Sequence, residues 1–185
     1  MPWATVHPRL PAVPHPARRC PPVAAACVRV CNKVVNQAKG NTVRQSLFEQ
    51  LGGIETLERV HKRFYDKLYI HPWLKAFFEG HEQAVIELRQ TQFMAEKFGA
   101  DIRYPGMALE LAHRRMYISE ELLTLRRELL RESLEEEQIP EALITRWLKI
   151  DGAFWKDIRK DSLAAFSEID LKYEKPLIVP RPDSD

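Results

Sequence analysis

Apolar residues step through the body of this chain at intervals of three and four, the spacing of a helix that buries one face. Leu57, Val60, Phe64 and Leu68 follow that spacing and predict a helix over about 54–69. His71-Pro72 ends it, because proline disfavours helical backbone in the residue before it. Trp73 to Phe78 reads as a short corner helix stopped near Gly80. A second helix is predicted over about 82–98, with Ile86, Gln90, Phe93, Met94 and Lys97 near one face and Gly99 closing it. A loop over 101–106 leads into a short helix over 107–115. Ser119, with Glu120 and Glu121 in the first turn, opens a long helix to about 137. Pro140 starts a last helix that contains Leu143, Trp147, Ile150, Phe154 and Ile158. At the front, Ser46 and Glu49 have the spacing of a capping box over Leu47–Gln50, and Gly52-Gly53 turns the corner after it. No segment carries the alternation of a strand. The fold class is therefore all-α, with the short loops of a packed bundle.

The first 45 residues have a different texture. They hold seven prolines up to Pro22 and no acidic residue, while Arg9, Arg18, Arg19, Arg29, Lys33, Lys39 and Arg44 make them basic. Removing those seven cations from the net +2 leaves the rest of the chain at −5, which gives no reason to expect nucleic-acid binding. Residues 1–45 are expected to be a disordered extension with a short Ala- and Val-rich helix over 23–35. A transit peptide is less fitting, since such leaders are Ser-rich. The domain proper is expected at 46–162, followed by a tail over 163–185.

Cys20, Cys27 and Cys31 all fall in the extension, and their spacing matches neither a zinc site nor a Cys-x-x-Cys-His haem attachment. An odd thiol count and a cysteine-free body suit a reducing compartment, so a cytoplasmic location is expected. No run of about 18 apolar residues is present, so no transmembrane helix or membrane partner is expected.

The remaining chemistry gathers around His113. It follows Leu109 by one helical turn and precedes Ile118-Ser119, so its face is apolar, and Arg103-Tyr104-Pro105-Gly106 lies just upstream. Phe64-Tyr65 and Phe77-Phe78 precede it; Gln90 stands 23 residues before His113 and 12 after Phe78. Read alone, Tyr65 is a core aromatic with its hydroxyl at the rim, Gln90 a solvated helix residue and His113 a packed imidazole.

Together these residues resemble the truncated haemoglobins of group I, over roughly Leu47 to Ile158. The resemblance implies a two-over-two helical sandwich around one haem b, with His113 as the iron ligand. It implies that Tyr65 and Gln90 donate hydrogen bonds to the gas on the distal side. It also implies that Phe78 wedges the haem ring, that Phe64, Ile86, Phe93 and Met94 line an apolar pocket, and that Arg89 or Arg103 meets a haem propionate.

Departures qualify the match. Gly99-Ala100 replaces the family's glycine pair. Ile86 removes the donor that larger globins keep as a distal histidine, and Arg89 stands where some members place a sixth iron ligand. Arg126 and Arg127 fall where an apolar haem-side residue is expected, which argues against a gas tunnel along that helix. His61, one turn before Tyr65, is a further pocket candidate.

The resemblance implies reversible binding of O2, NO or CO. Oxidation of nitric oxide by the O2 complex, which needs an external reductase, is one function; O2 storage, transport or sensing is another. A haem-free globin-like interaction module is the alternative from a different class. Enzyme activity and oligomeric state stay open at this point.

Overall fold

The structure, a computed structural model, describes residues 45–172 and 174–182. The readings made for the proline-rich extension, its short helix and its three cysteines lie outside them. Among the described residues every element is helical apart from an isolated parallel bridge between Met116 and Leu177.

Helix α1 spans Leu47–Gln50 and is held by the expected capping box. The Ser46 hydroxyl accepts from Glu49 N at 3.1 Å, and the Glu49 carboxylate accepts from Ser46 N at 2.8 Å. Gly52 and Gly53 both adopt positive φ, which frees the chain to turn sharply into α2, Ile54–Ile70. Leu57, Val60 and Phe64 on α2 are fully buried. A 3-10 turn, Lys75–Phe78, then leads to α3, Gln83–Lys97.

Gly99 ends α3 with φ 91°. Its N–H donates to Glu96 O at 3.1 Å and Ala100 N–H donates to Ala95 O at 3.0 Å, the reverse turn that uses up a helix's last carbonyls. One glycine is enough, because Ala100 needs no positive φ. The stop also docks α1, since Phe48 N–H donates to Phe98 O at 3.0 Å.

The short helix expected over 107–115 forms only as α4, Leu109–Ala112. Ala108, extended after Pro105-Gly106, delays its start, and His113 sits at its C-cap. Helix α5, Glu120–Glu136, opens on Ser119, whose hydroxyl accepts from Leu122 N at 3.3 Å. Gln138 follows with φ 56°, a left-handed conformation more usual for glycine. The last predicted helix divides into α6, Glu141–Ala153, and α7, Trp155–Ile158, with Gly152 weakening the final turn of α6. A further helix, α8, Leu163–Ser167, appears in the segment expected as a tail.

Helix α2 packs against both α3 and α5, and α5 packs against α6. These two pairs of long helices form the two-over-two sandwich. Trp147 of α6 is fully buried and meets Phe98 edge-on at 4.8 Å and His61 at 5.5 Å. A buried aromatic of that size contributes roughly 2–3 kcal/mol by area alone. The acidic end of α5 is paired as well as solvated: Glu136 binds Lys67 at 2.9 Å, and Glu137 binds Arg59 at 3.0 Å and also Arg63.

Beyond α8 the chain returns along the domain. Tyr117 N–H donates to Leu177 O at 2.9 Å, and Leu177 N–H to Arg115 O at 2.7 Å. Trp73 Nε1–H reaches Val179 O at 3.2 Å, and Arg181 pairs with Glu121.

Candidate functional site

Between the helix pairs lies a cavity of about 470 Å³. Its walls come from α2 (Tyr65, Leu68), the 3-10 turn (Phe77, Phe78), α3 (Ile86, Arg89, Gln90, Phe93), α4 with its cap (Leu109, His113) and α5 (Leu122, Leu123, Arg126). Asp151 of α6 with Phe154 and Trp155 completes the inner side.

Among the residues expected at the site, Tyr65, Phe78, Ile86, Arg89, Gln90, Phe93 and His113 border this one cavity. Phe64, Met94 and Arg103 stand outside its lining. The reason is helical phase. Consecutive helix residues point about 100° apart, so Tyr65 and Phe93 take the cavity face and Phe64 and Met94 turn into the core. Phe64 is fully buried with the Arg126 guanidinium 5.1 Å above its ring. Arg103 is exposed on its loop, while Arg89 and Arg115 are the cations among the lining residues nearest the solvent side.

His113 is oriented by its own helix. Its Nδ1 lies 2.8 Å from the carbonyl oxygen of Leu109. A carbonyl only accepts, so Nδ1 carries the proton, and in the neutral ring Nε2 is left with its lone pair. Burial holds the imidazole below its ordinary pKa, against the opposing pull of the Leu109 hydrogen bond, and so favours the neutral ring.

Tyr65 is 6% exposed, and burial pushes its phenol above the usual range, partly opposed by the charge of Arg126. It therefore stays protonated, as a donor. Its ring meets Phe78 edge-on at 5.8 Å and Phe64 at 5.2 Å, which fixes its direction. Neither the Tyr65 hydroxyl nor the Gln90 amide is hydrogen-bonded to a described residue.

His61, the further candidate, lies behind the wall. It is 1% exposed, shares a 2.7 Å hydrogen bond between Nδ1 and Thr91 Oγ1, and its Nε2 has no partner among the described residues. Burial first and the Arg126 charge second push its pKa down to about 3, so it is neutral.

The sequence reading missed an ion pair. Arg126 Nη1 lies 3.0 and 2.8 Å from the two carboxylate oxygens of Asp151, and Asp151 is 6% exposed. Burial works against the guanidinium charge, and Asp151 more than offsets it, holding the group above its ordinary pKa. The signal for Asp151 was present: it shares a helical stripe with Ile144, Trp147 and Leu148, all buried. Arg127, next in sequence, turns outward over Trp155 at 5.8 Å.

The donor set bears on what the cavity can hold. Among the described residues no group of three or more His, Cys, Asp or Glu is placed to share a metal ion. A single imidazole suffices where the metal arrives with its other ligands, as in a macrocycle. Met107 and Leu111 border the cavity yet remain 59% and 56% exposed, an apolar mouth that a flat apolar group would cover. The oriented Nε2, this apolar mouth and the Arg89 and Arg115 cations fit haem. Among the described residues no helix is long and apolar enough to cross a membrane.

Comparison with known proteins gives the following. A family model described as bacterial-like globin matches residues 46–159. A group 1 truncated haemoglobin of Chlamydomonas moewusii is 29% identical over 110 residues, 60% of this chain; the match spans 61% of that relative, somewhat under two thirds of its length. A group 1 truncated haemoglobin of Synechocystis is 27% identical over 120 residues, covering 58% of this chain and 90% of the relative. Among solved structures, the truncated haemoglobin of Tetrahymena pyriformis in its Fe(III) form aligns with a TM-score of 0.60 at 25% identity, over 63% of this chain and all of the other. A two-over-two haemoglobin from a Synechococcus species, described with covalently attached haem, aligns with a TM-score of 0.55 at 24% identity over 66% of this chain and 96% of its own, which shows the fold.

Proposed function

Because this chain belongs to the bacterial-like globin family and is of the truncated haemoglobin type, we propose that it binds O2 reversibly at a haem b ligated by His113. Haem and the binding of a diatomic gas follow from the family itself. The observation that carries the finer reading is the meeting in one cavity of His113, whose Nδ1 is turned to Leu109, and of Tyr65 and Gln90, two donors with no hydrogen-bond partner among the described residues. Haem b supplies a ferrous iron that takes up a diatomic gas.

The rest is work for the chain. His113 presents its lone pair and is kept neutral by burial. Phe78 and Phe93 exclude water, and Tyr65 and Gln90 offer hydrogen atoms to a polarised ligand. Such bonds slow its release. Ile86, which offers no hydrogen bond, leaves that task to those two side chains. Arg89, which with Arg115 borders the cavity, is the choice for a haem carboxylate over Arg103, which does not.

A carrier and a nitric oxide oxidase share this site, and the oxidase additionally needs an external reductant. The test is the absorption spectrum of the full chain loaded with haemin. A Soret band that shifts with CO after reduction in the wild type, and that His113→Ala alters, is the expected result. A colourless protein after loading would leave a helical module without haem.

A further inference from the structure

Sorted by exposure, the cavity wall has a mouth and an inner end. Arg89, Met107 and Leu111 are exposed; Tyr65, Leu122, Leu123 and Asp151 are buried. Arg89 and Arg115 carry charge toward the mouth, and the Arg126–Asp151 pair carries it at the inner end, where the Arg126 side chain is 21% exposed. Arg126 is pinned there by Asp151 at 2.8 Å and by the ring of Phe64, 5.1 Å from its central carbon.

Asp151 uses only part of that guanidinium. Nη1 serves both carboxylate oxygens, and neither Nε nor Nη2 is hydrogen-bonded to a described residue. A side chain with five N–H donors in a fixed fork thus keeps unspent donors on a group that borders the cavity. Tyr65, beside it on the lining, is a second unspent donor. Asp151 opposes an anion, but both of its oxygens are already engaged. The inner end therefore offers donors in excess.

We propose that Arg126, fixed by Asp151, makes the inner end of this cavity a subsite for a small monoanion, one that coordinates iron through one atom and accepts hydrogen bonds from the guanidinium and Tyr65. This rests on the haem reading above. It assigns to Arg126 a preference of the ferric site for two- or three-atom anions of the size of azide over neutral ligands.

The test uses the full chain loaded with haemin and oxidised to the ferric state at pH 7. Azide, and imidazole as a neutral iron ligand, are titrated by the shift of the Soret band. The double variant Arg126→Met/Asp151→Leu removes the pair without stranding a buried charge. Its azide affinity is expected to fall about 10- to 100-fold, the worth of a hydrogen bond to a charged acceptor, while imidazole affinity stays within about threefold.

Arg126→Lys, which keeps the ion pair but not the fork, is the second variant should the first fail to fold. It is expected to lose at least about threefold in azide affinity. Unchanged azide affinity, or an equal loss for both ligands, overturns the anion subsite while the haem reading stands. Failure of the wild type to develop a Soret band overturns both.

Discussion

The imidazole Nδ1 of His113 lies 2.8 Å from the carbonyl oxygen of Leu109, one turn earlier on the same short helix. The helix that carries His113 therefore also chooses its tautomer, and no second side chain is required to do so. Replacing His113 by glycine removes the ligand and leaves the space of a ring. The ferric Soret spectrum of His113→Gly is expected to lose the wild-type form and to regain it when millimolar imidazole is added. A spectrum identical to wild type without imidazole would mean that another residue holds the iron.

Tyr65 has no hydrogen-bond partner among the described residues, and burial holds its proton in place. A hydrogen bond to a charged or strongly polarised acceptor is worth about 1.5–3 kcal/mol. Tyr65→Phe is therefore expected to speed O2 dissociation roughly 10- to 100-fold. Stopped-flow displacement of O2 by CO measures this, and an unchanged rate would take Tyr65 out of the distal role.

His61 links pH to stability. Its folded-state pKa is pushed down to about 3, against an ordinary value near 6.5. Between those limits the unfolded chain binds a proton that the folded chain refuses, so stability falls as pH drops below about 6.5 and this group is silent above it. The slope expected is about 1.4 kcal/mol per pH unit for one proton. Urea midpoints measured from pH 7 to 4.5 should fall more steeply in wild type than in His61→Leu. Parallel curves would show that the acid sensitivity comes from elsewhere.

Gln138 closes α5 with φ 56° and an exposed side chain, while Gln138 N–H donates to Glu135 O at 2.9 Å and Ile139 N–H to Leu134 O at 3.0 Å. That is the backbone of a glycine stop built without glycine. Gln138→Gly is expected to raise stability by about 1 kcal/mol, since a side chain in the left-handed region costs about that much. A lower urea midpoint in the variant would refute it.

Much of this was legible in the residues because helical spacing and caps are local signals. Ser46 with Glu49, Ser119 and Gly99 set their helix ends where expected. The gathering of Tyr65, Gln90 and His113 was legible only through the resemblance, since three separate elements bring them together. Phase was the harder matter: Phe64 and Met94 look like pocket residues in sequence but turn into the core beside Tyr65 and Phe93. The Arg126–Asp151 pair escaped because each partner reads as a misfit on an apolar stripe. Only their apposition across α5 and α6 shows that the two misfits answer each other.

The returning chain end has a consequence for where this protein can be cut. Leu177 is bonded to the backbone at Arg115 and Tyr117, two and four residues beyond His113, Val179 takes the Trp73 indole N–H, and Glu174 borders the cavity. A fragment trimmed to the family match at 159 would lose all three. Residues 174–182 act as a tie-bar between the segment that follows His113 and the corner before α3. These contacts lie beyond the residues that the globin pattern matches.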